Sequence, residues 1–280
     1  MVTIMIMSHD SRELLKECLS RIKATTDIPY EVVIVDDASN PPYTKDEFDA
    51  TIIHLPKRSN CCTLRNIGME MSRTEYVFWL DNDTMVEKGW YKPLIDKMDS
   101  DPKIGLVGQP KDSRLIRNPF LPLTQEDCMT EYEFAYDYNH LTGECDFITS
   151  YCILVRKSAF RPTHCYHMPT PVLDPDLGAC IKVNGYKVVV SDSDIPVNHL
   201  GSSTGRPNGR NYLYYLSRHF TEWFRFWEPH ASKIFELYRG IPVQYDHDAN
   251  EPARSLSKGQ HGDLDKDFEV IPDQYKYIEP

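Results

Sequence analysis

The sequence predicts an α/β fold in which a mostly parallel central sheet is flanked by helices and followed by a C-terminal helical and extended appendage. Three observations carry that expectation. Residues 2–7, 31–35, 76–80 and 104–107 are short, predominantly apolar runs, the pattern of strands buried on both faces. The segments between them carry apolar residues at helical spacing. The runs end in polar or turn-forming residues, most abruptly at Asp81-Asn82-Asp83, so polar loops gather at the carboxyl ends of the strands.

In chain order, residues 2–7 form the first strand. Asp10 and Glu13 then make a capping-box-like start for a helix bearing Leu14, Leu15, Cys18, Leu19 and Ile22, and Ile28-Pro29 breaks it. The second strand, 31–35, runs into Asp36-Asp37-Ala38-Ser39 and completes a β-α-β unit expected to be right-handed and parallel. Asn40-Pro41-Pro42 turns the chain into a short strand at 51–55. A helix with Leu64, Ile67, Gly68 and Met71 on one face, and with Arg65 and Asn66, leads into the 76–80 strand. Gly89-Trp90 begins a helix that runs through Met98, before the strand at 104–107.

The rhythm lapses over 109–143, where a helix near 126–138 is expected and where an acceptor is expected to bind, because long irregular stretches in a compact domain tend to be functional. Strand character resumes at 146–155, with a helical turn at 157–160 and a loop at 164–171. A helix over 173–183 carries Asp174 and Asp176, and a strand follows at 186–190. The small residues of 201–205 suit a mobile lid. Residues 211–227 read as an aromatic helix that docks on the main domain, with a dimer or membrane-surface contact as the alternative, and 245–280 as an extended tail.

At 280 residues the chain can bury a sizeable core. A net charge of −11 argues against broad nucleic-acid binding and leaves a small charged ligand held through a metal. No run approaches the about eighteen apolar residues of a membrane span, and Met1 opens directly into a strand with no basic leader. The eight cysteines, none at Cys-x-x-Cys spacing, read as reduced thiols, so a cytoplasmic location is expected, with peripheral membrane attachment as its variant. His164, Cys165 and His167, with Cys145 or Cys152, lack paired zinc-ligand spacing and read as loop and core residues.

Asp81 and Asp83 are the chemical focus. Hard cations such as Mg²⁺ and Mn²⁺ take carboxylate oxygens together with substrate phosphates, and open α/β sheets bind ligands at the carboxyl ends of their strands. The pair can therefore hold a nucleoside diphosphate through a metal; taken alone, the same stretch is equally a solvated turn.

Four motifs in order resemble the GT-A-fold glycosyltransferases of family two, over about residues 1–205. The first is Val2-Thr3-Ile4-Met5-Ile6-Met7-Ser8-His9-Asp10 with Val33-Ile34-Val35-Asp36-Asp37-Ala38-Ser39. The second is Leu64-Arg65-Asn66-Ile67-Gly68, and the third Phe78-Trp79-Leu80-Asp81-Asn82-Asp83, which looks like the family's Asp-x-Asp. The fourth is Leu173-Asp174-Pro175-Asp176-Leu177 with Gly185-Tyr186. Leu173 departs from the family's usual Glu and Cys180 from its usual Arg.

The resemblance implies a nucleotide-sugar donor, in the first place a UDP-sugar, a hydroxyl acceptor, and Mn²⁺ or Mg²⁺ as cofactor. Residues 1–108 would form the nucleotide-sugar half of a 1–205 domain and 109–205 the acceptor and catalytic half, with 206–280 packed on it. By the same resemblance Ser8, His9, Asp37, Arg65, Asp81 and Asn82 fall on the nucleotide side, Asp83 and His199 on the metal, and Asp174 on the catalytic base. Asp176 falls beside the acceptor or in the shell of residues behind the site. The implied reaction is a single displacement with inversion. Two alternatives are a phosphatase of the haloacid dehalogenase kind, whose nucleophile strand also ends in Asp-x-Asp, and a sugar-nucleotide-binding module without catalysis.

Overall fold

The computed structural model describes residues 1–59, 61–109, 113–116, 136–138, 143–160 and 173–200. Strand β1 (Val2–Ser8) lies between β2 (Tyr30–Asp36) and β4 (Tyr76–Asp81) and is parallel to both. Beyond β2, β3 (Thr51–His54) pairs parallel and ends the sheet. On the other side β10 (Cys152–Arg156) is inserted antiparallel between β4 and β6 (Ile104–Gly108). The last strand, β11 (Lys187–Val190), runs parallel to β6, giving the seven-stranded order β11-β6-β10-β4-β1-β2-β3.

The strands are continuously apolar because helices cover both faces. Helices α1 (Arg12–Thr25) and α3 (Lys92–Asp99) bury Leu15, Ile22, Leu94 and Met98 against Ile4, Ile6, Phe78 and Leu80. The alternate residues Met5, Val77 and Trp79 face the other way, toward Met69 of α2 (Cys61–Met71) and Leu177 and Ile181 of α4 (Leu173–Val183). Trp79 is buried and meets Phe160 edge-on at 5.9 Å, while Phe78 meets the fully buried Trp90 at 4.7 Å. Each such side chain contributes about 1.5–3 kcal/mol of transfer free energy.

Helix α4 is seated by two short-range devices. A Cβ on Gly178 would stand 2.2 Å from the Asp146 carbonyl oxygen, so only glycine lets the helix approach that backbone. One turn on, Lys182 Nζ donates to Asp146 Oδ1 at 2.9 Å, an ion pair whose side chains are 6% and 0% exposed. Gly178→Ala is therefore expected to destabilise the fold by about 1–3 kcal/mol of overpacking, more than the roughly 1 kcal/mol that alanine gains in helix propensity. A fall in the urea midpoint at constant slope checks this; an unchanged midpoint contradicts it.

The carboxyl end of β2 is organised by Asp36, which is 1% exposed. Its Oδ1 accepts from the Ser39 amide at 3.0 Å, and its Oδ2 accepts from the Tyr43 amide at 3.3 Å and from His54 Nδ1 at 2.8 Å. Burial pushes its pKa up, but the bonds from Ser39, His54 and Tyr43 together outweigh it and hold the carboxyl below its ordinary 3.8. Because the folded value is the lower one, Asp36 contributes stability above the unfolded pKa, and that contribution is lost as the pH falls through the folded value. Asp36→Asn is expected to lower stability by about 1–3 kcal/mol at neutral pH. In urea titrations the gap to the parent should close in acid below pH 3.8; a gap independent of pH contradicts the assignment.

Three expectations differ from what is found. The first helix has no capping box: Ser11 is its N-cap with no side-chain cap bond, and Asp10, at φ 45°, accepts the Asn40 amide instead. Residues 136–138, expected at the end of a helix, form β8 (Tyr136–Tyr138), which with β7 (Ser113–Ile116) and β9 (Phe147–Ile148) makes a three-stranded sheet in the order β8-β7-β9. The single strand expected over 146–155 is divided into β9 and β10 by a turn at Ser150 and Tyr151. The 201–205 loop, the 211–227 helix, the 245–280 tail and residues 164, 165 and 167 lie outside the described residues.

Candidate active site

Register sets the polar ends side by side. Ser8 pairs opposite Asp36, Met7 opposite Asp81, and Asp36 opposite His54, so the ends of β4, β1, β2 and β3 form one edge. At that edge β5 (Thr84–Val86), just after the Asp-x-Asp, pairs antiparallel with β12 (Val197–His199) and sets His199 opposite Thr84. The Leu200 amide donates to the Asp83 carbonyl at 3.1 Å, and the Tyr151 ring stacks flat on the His199 ring with centroids 4.3 Å apart. Tyr151 is itself pinned, because its carbonyl accepts from the Asp81 amide at 3.0 Å and from Thr84 Oγ1 at 3.1 Å.

These constraints bring one ligand atom from each of Asp81, Asp83 and His199 within 4.8 Å of one another. His199 Nε2 lies 3.1 Å from Asp83 Oδ1 and 3.8 Å from Asp81 Oδ2. Burial pushes the Asp81 carboxyl up to about 6; Arg65 and His199 pull it down, and the Asp83 and Asp174 carboxylates push it further up. Its side chain keeps 36% exposure, so its surroundings are dense while one side stays open. Two crowded carboxylates and an imidazole fit a divalent cation, whose charge would favour both ionised forms, and oxygen ligands with one nitrogen suit Mn²⁺ or Mg²⁺. Cys18, whose thiol donates to the Thr84 carbonyl at 3.4 Å, is no thiolate ligand: burial, then Asp83 and Asp81, push it up to about 12.

Asp174 sits in the first turn of α4 with 22% of its side chain exposed. Its Oδ1 accepts from Arg65 Nη1 at 3.4 Å and from the Ser150 hydroxyl, and that hydroxyl accepts in turn from Arg65 Nη2. Arg65, expected on the nucleotide side, is 4% exposed, with its guanidinium 4.9 Å over the Trp79 ring. Its charge also acts on Asp81, favouring the ionised form of that carboxyl. The Asp176 side chain is outside the described residues.

The remaining predicted residues knit the loops together. Asn82 Nδ2 donates to the Ser8 hydroxyl at 3.0 Å, and that hydroxyl also bonds Tyr43 Oη at 2.8 Å. His9 Nδ1 donates to the Asp37 carbonyl at 2.7 Å. The Asp37 carboxylate, 4% exposed, accepts from the Ser59 amide at 2.7 Å and from Arg58 Nε at 2.9 Å; burial pushes its pKa up against those donors. No local sequence pattern marks Ser150, Tyr151 or Tyr43, since each acts through residues distant in the chain.

The family model for glycosyl transferase family 2 matches residues 3–162, which is more than half of the chain. The chain belongs to glycosyl transferase family 2. Membership removes the phosphatase alternative. Among relatives, a pre-mycofactocin glycosyltransferase of Mycobacterium tuberculosis is 27% identical over 174 residues, covering 57% of this chain and 34% of that protein. The glycosyltransferase GlyG of Streptococcus pneumoniae is 21% identical over 180 residues, covering 59% of each. This family 2 chain therefore spans only part of the length of the curated relatives it matches. A crystal structure of GalNAc-T7 with UDP, GalNAc and Mn²⁺ superposes with a TM-score of 0.55 at 14% identity, over 85% of this chain and 54% of that one, and shares its GT-A fold. Among the described residues no helix is long and apolar enough to cross a membrane.

Proposed function

We propose that this family 2 chain transfers a sugar with inversion from a UDP-sugar to an acceptor hydroxyl, with Mn²⁺ or Mg²⁺ bound, and that it works in the cytoplasm. The carrying observation is the convergence of Asp81, Asp83 and His199 at the carboxyl edge, with Asp174 held from the adjoining helix. Asp83 and His199 hold the cation, and Asp81 holds the metal shell or ribose. When bound, the cation supplies charge stabilisation to the departing diphosphate.

Ser8, His9, Asp37 and Asn82 line the nucleotide end, which agrees with the UDP in the crystal structure that shares the fold. At the reacting end Asp174 accepts the proton of an acceptor hydroxyl as its oxygen attacks the anomeric carbon; the bond to the diphosphate breaks on the opposite face, inverting the centre. Asp176 is assigned to the acceptor side. Residues 1–205 form the catalytic domain in this reading, divided at about residue 108.

Thermal shift against UDP-, GDP-, CMP- and dTDP-sugars, each with and without Mn²⁺, tests the proposal. A ligand at a hundred times its Kd stabilises the folded state by about 2.7 kcal/mol, which is roughly 5–10 °C for a domain of this size. The expected result is a shift with UDP-sugars that needs Mn²⁺; shifts indifferent to metal or to base contradict the reading. A binding module without catalysis would shift equally but release no UDP.

A further inference from the structure

We propose that Ser150 is a positioning residue: it and Arg65 lock one oxygen of Asp174 so that the other faces the acceptor. The proposal deepens the reading of Asp174 as the base and rests on it. Among the described residues, the two side-chain bonds that reach Asp174 land on Oδ1, one from Arg65 Nη1 and one from the Ser150 hydroxyl. The hydroxyl has a single proton and gives it to Oδ1, while a lone pair accepts Arg65 Nη2, so the three groups close a ring in which each role is filled once. Oδ2 takes no part in the ring. A carboxylate pinned through one oxygen keeps its rotamer while the other oxygen stays available for a proton.

The ring is fixed from behind. Arg65 is 4% exposed, its guanidinium lies 4.9 Å over Trp79, and Trp79 Nε1 is itself held to Met69 Sδ at 3.0 Å. Arg65 Nε has no hydrogen-bond partner among the described residues, and the ring stack, Ser150 and Asp174 orient the guanidinium. Ser150 owes its place to the turn that divides β9 from β10 and that also delivers Tyr151 to His199. Asp174 has Leu173 before it and Cys180 six residues later in α4, neither of which carries a positive charge to pair with it. Its alignment therefore comes from other elements, the helix before β4 and the turn before β10.

The test compares the parent, Ser150→Ala, Ser150→Thr and Asp174→Asn in two assays. The first is calorimetric binding of UDP with Mn²⁺, and the second is hydrolysis of UDP-glucose, UDP-galactose, UDP-GlcNAc and UDP-GalNAc, read as released UDP. Misplacing a reacting group by about 1 Å costs on the order of 10²-fold, so Ser150→Ala should lose roughly that much kcat on the best donor. KM and UDP affinity should stay within about twofold, and Ser150→Thr, which restores the hydroxyl, should recover most of the rate. If Ser150→Ala keeps the parent kcat while Asp174→Asn is inactive, Ser150 has no positioning role and the base assignment stands. If Asp174→Asn also keeps the parent rate, or the parent binds UDP but releases none from any donor, the base assignment fails and this proposal with it. Equal loss of UDP binding and kcat in Ser150→Ala marks a structural residue and overturns the proposal.

Discussion

Asp83→Ala is expected to remove Mn²⁺-dependent UDP binding while the protein stays folded. Asp83 is 6% exposed, and its backbone belongs to the local strand pairing: the carbonyl receives the Leu200 amide, and β5 and β12 pair just beyond it. Deleting the side chain leaves those backbone bonds and relieves the repulsion between Asp83 and Asp81, so the chain should still fold. The cation, by contrast, would lose the ligand nearest to His199. A metal that bridges to phosphate oxygens is worth several kcal/mol, so the loss should be at least about a hundredfold in affinity. Calorimetry with UDP, with and without Mn²⁺, measures it directly, and an unchanged metal-dependent increment would mean that Asp83 is not the metal ligand.

Asp174→Asn should separate binding from chemistry. The amide keeps the size and an oxygen for the Ser150 hydroxyl but cannot take up a proton, and general-base catalysis is worth about 10²–10⁴-fold. We expect kcat to fall by about that factor with UDP affinity kept, because the base acts on the acceptor proton and not on the diphosphate. Comparable losses in UDP binding and turnover would instead make Asp174 part of the architecture through its contact with buried Arg65.

The parts of this protein legible in its sequence are those where local pattern and tertiary demand agree. The β4 run is apolar at every position because Phe78 and Leu80 face one helix layer while Val77 and Trp79 face the other, and its acidic end stands where the sheet edge opens. Helix α4 keeps its expected bounds because apolar residues at helical spacing meet the core there. The capping box at Asp10 failed for a non-local reason: the carboxylate serves the Asn40 amide, joining two loops thirty residues apart. Ser150 was invisible for the same kind of reason, since its partners come from residues 65 and 174 and nothing in Thr149-Ser150-Tyr151 records them. Arg65 stands out in the sequence, but its burial against Trp79 and its direction toward Asp174 depend on a packing that no one-dimensional pattern encodes.

The pairing of β5 with β12 also has a temporal meaning. Thr84 and His199 are neighbours in space but roughly a hundred residues apart in the chain. During synthesis at about 5–20 residues per second, the stretch from β5 to β12 takes roughly 5–20 s to appear, and contacts of such long range are the slow ones to form. The nascent chain therefore carries both aspartates well before the imidazole that lies beside them. The three-residue cluster is therefore assembled late, after the strands that position Asp81 have been made, and a fragment ending before β12 would hold the acidic pair without His199.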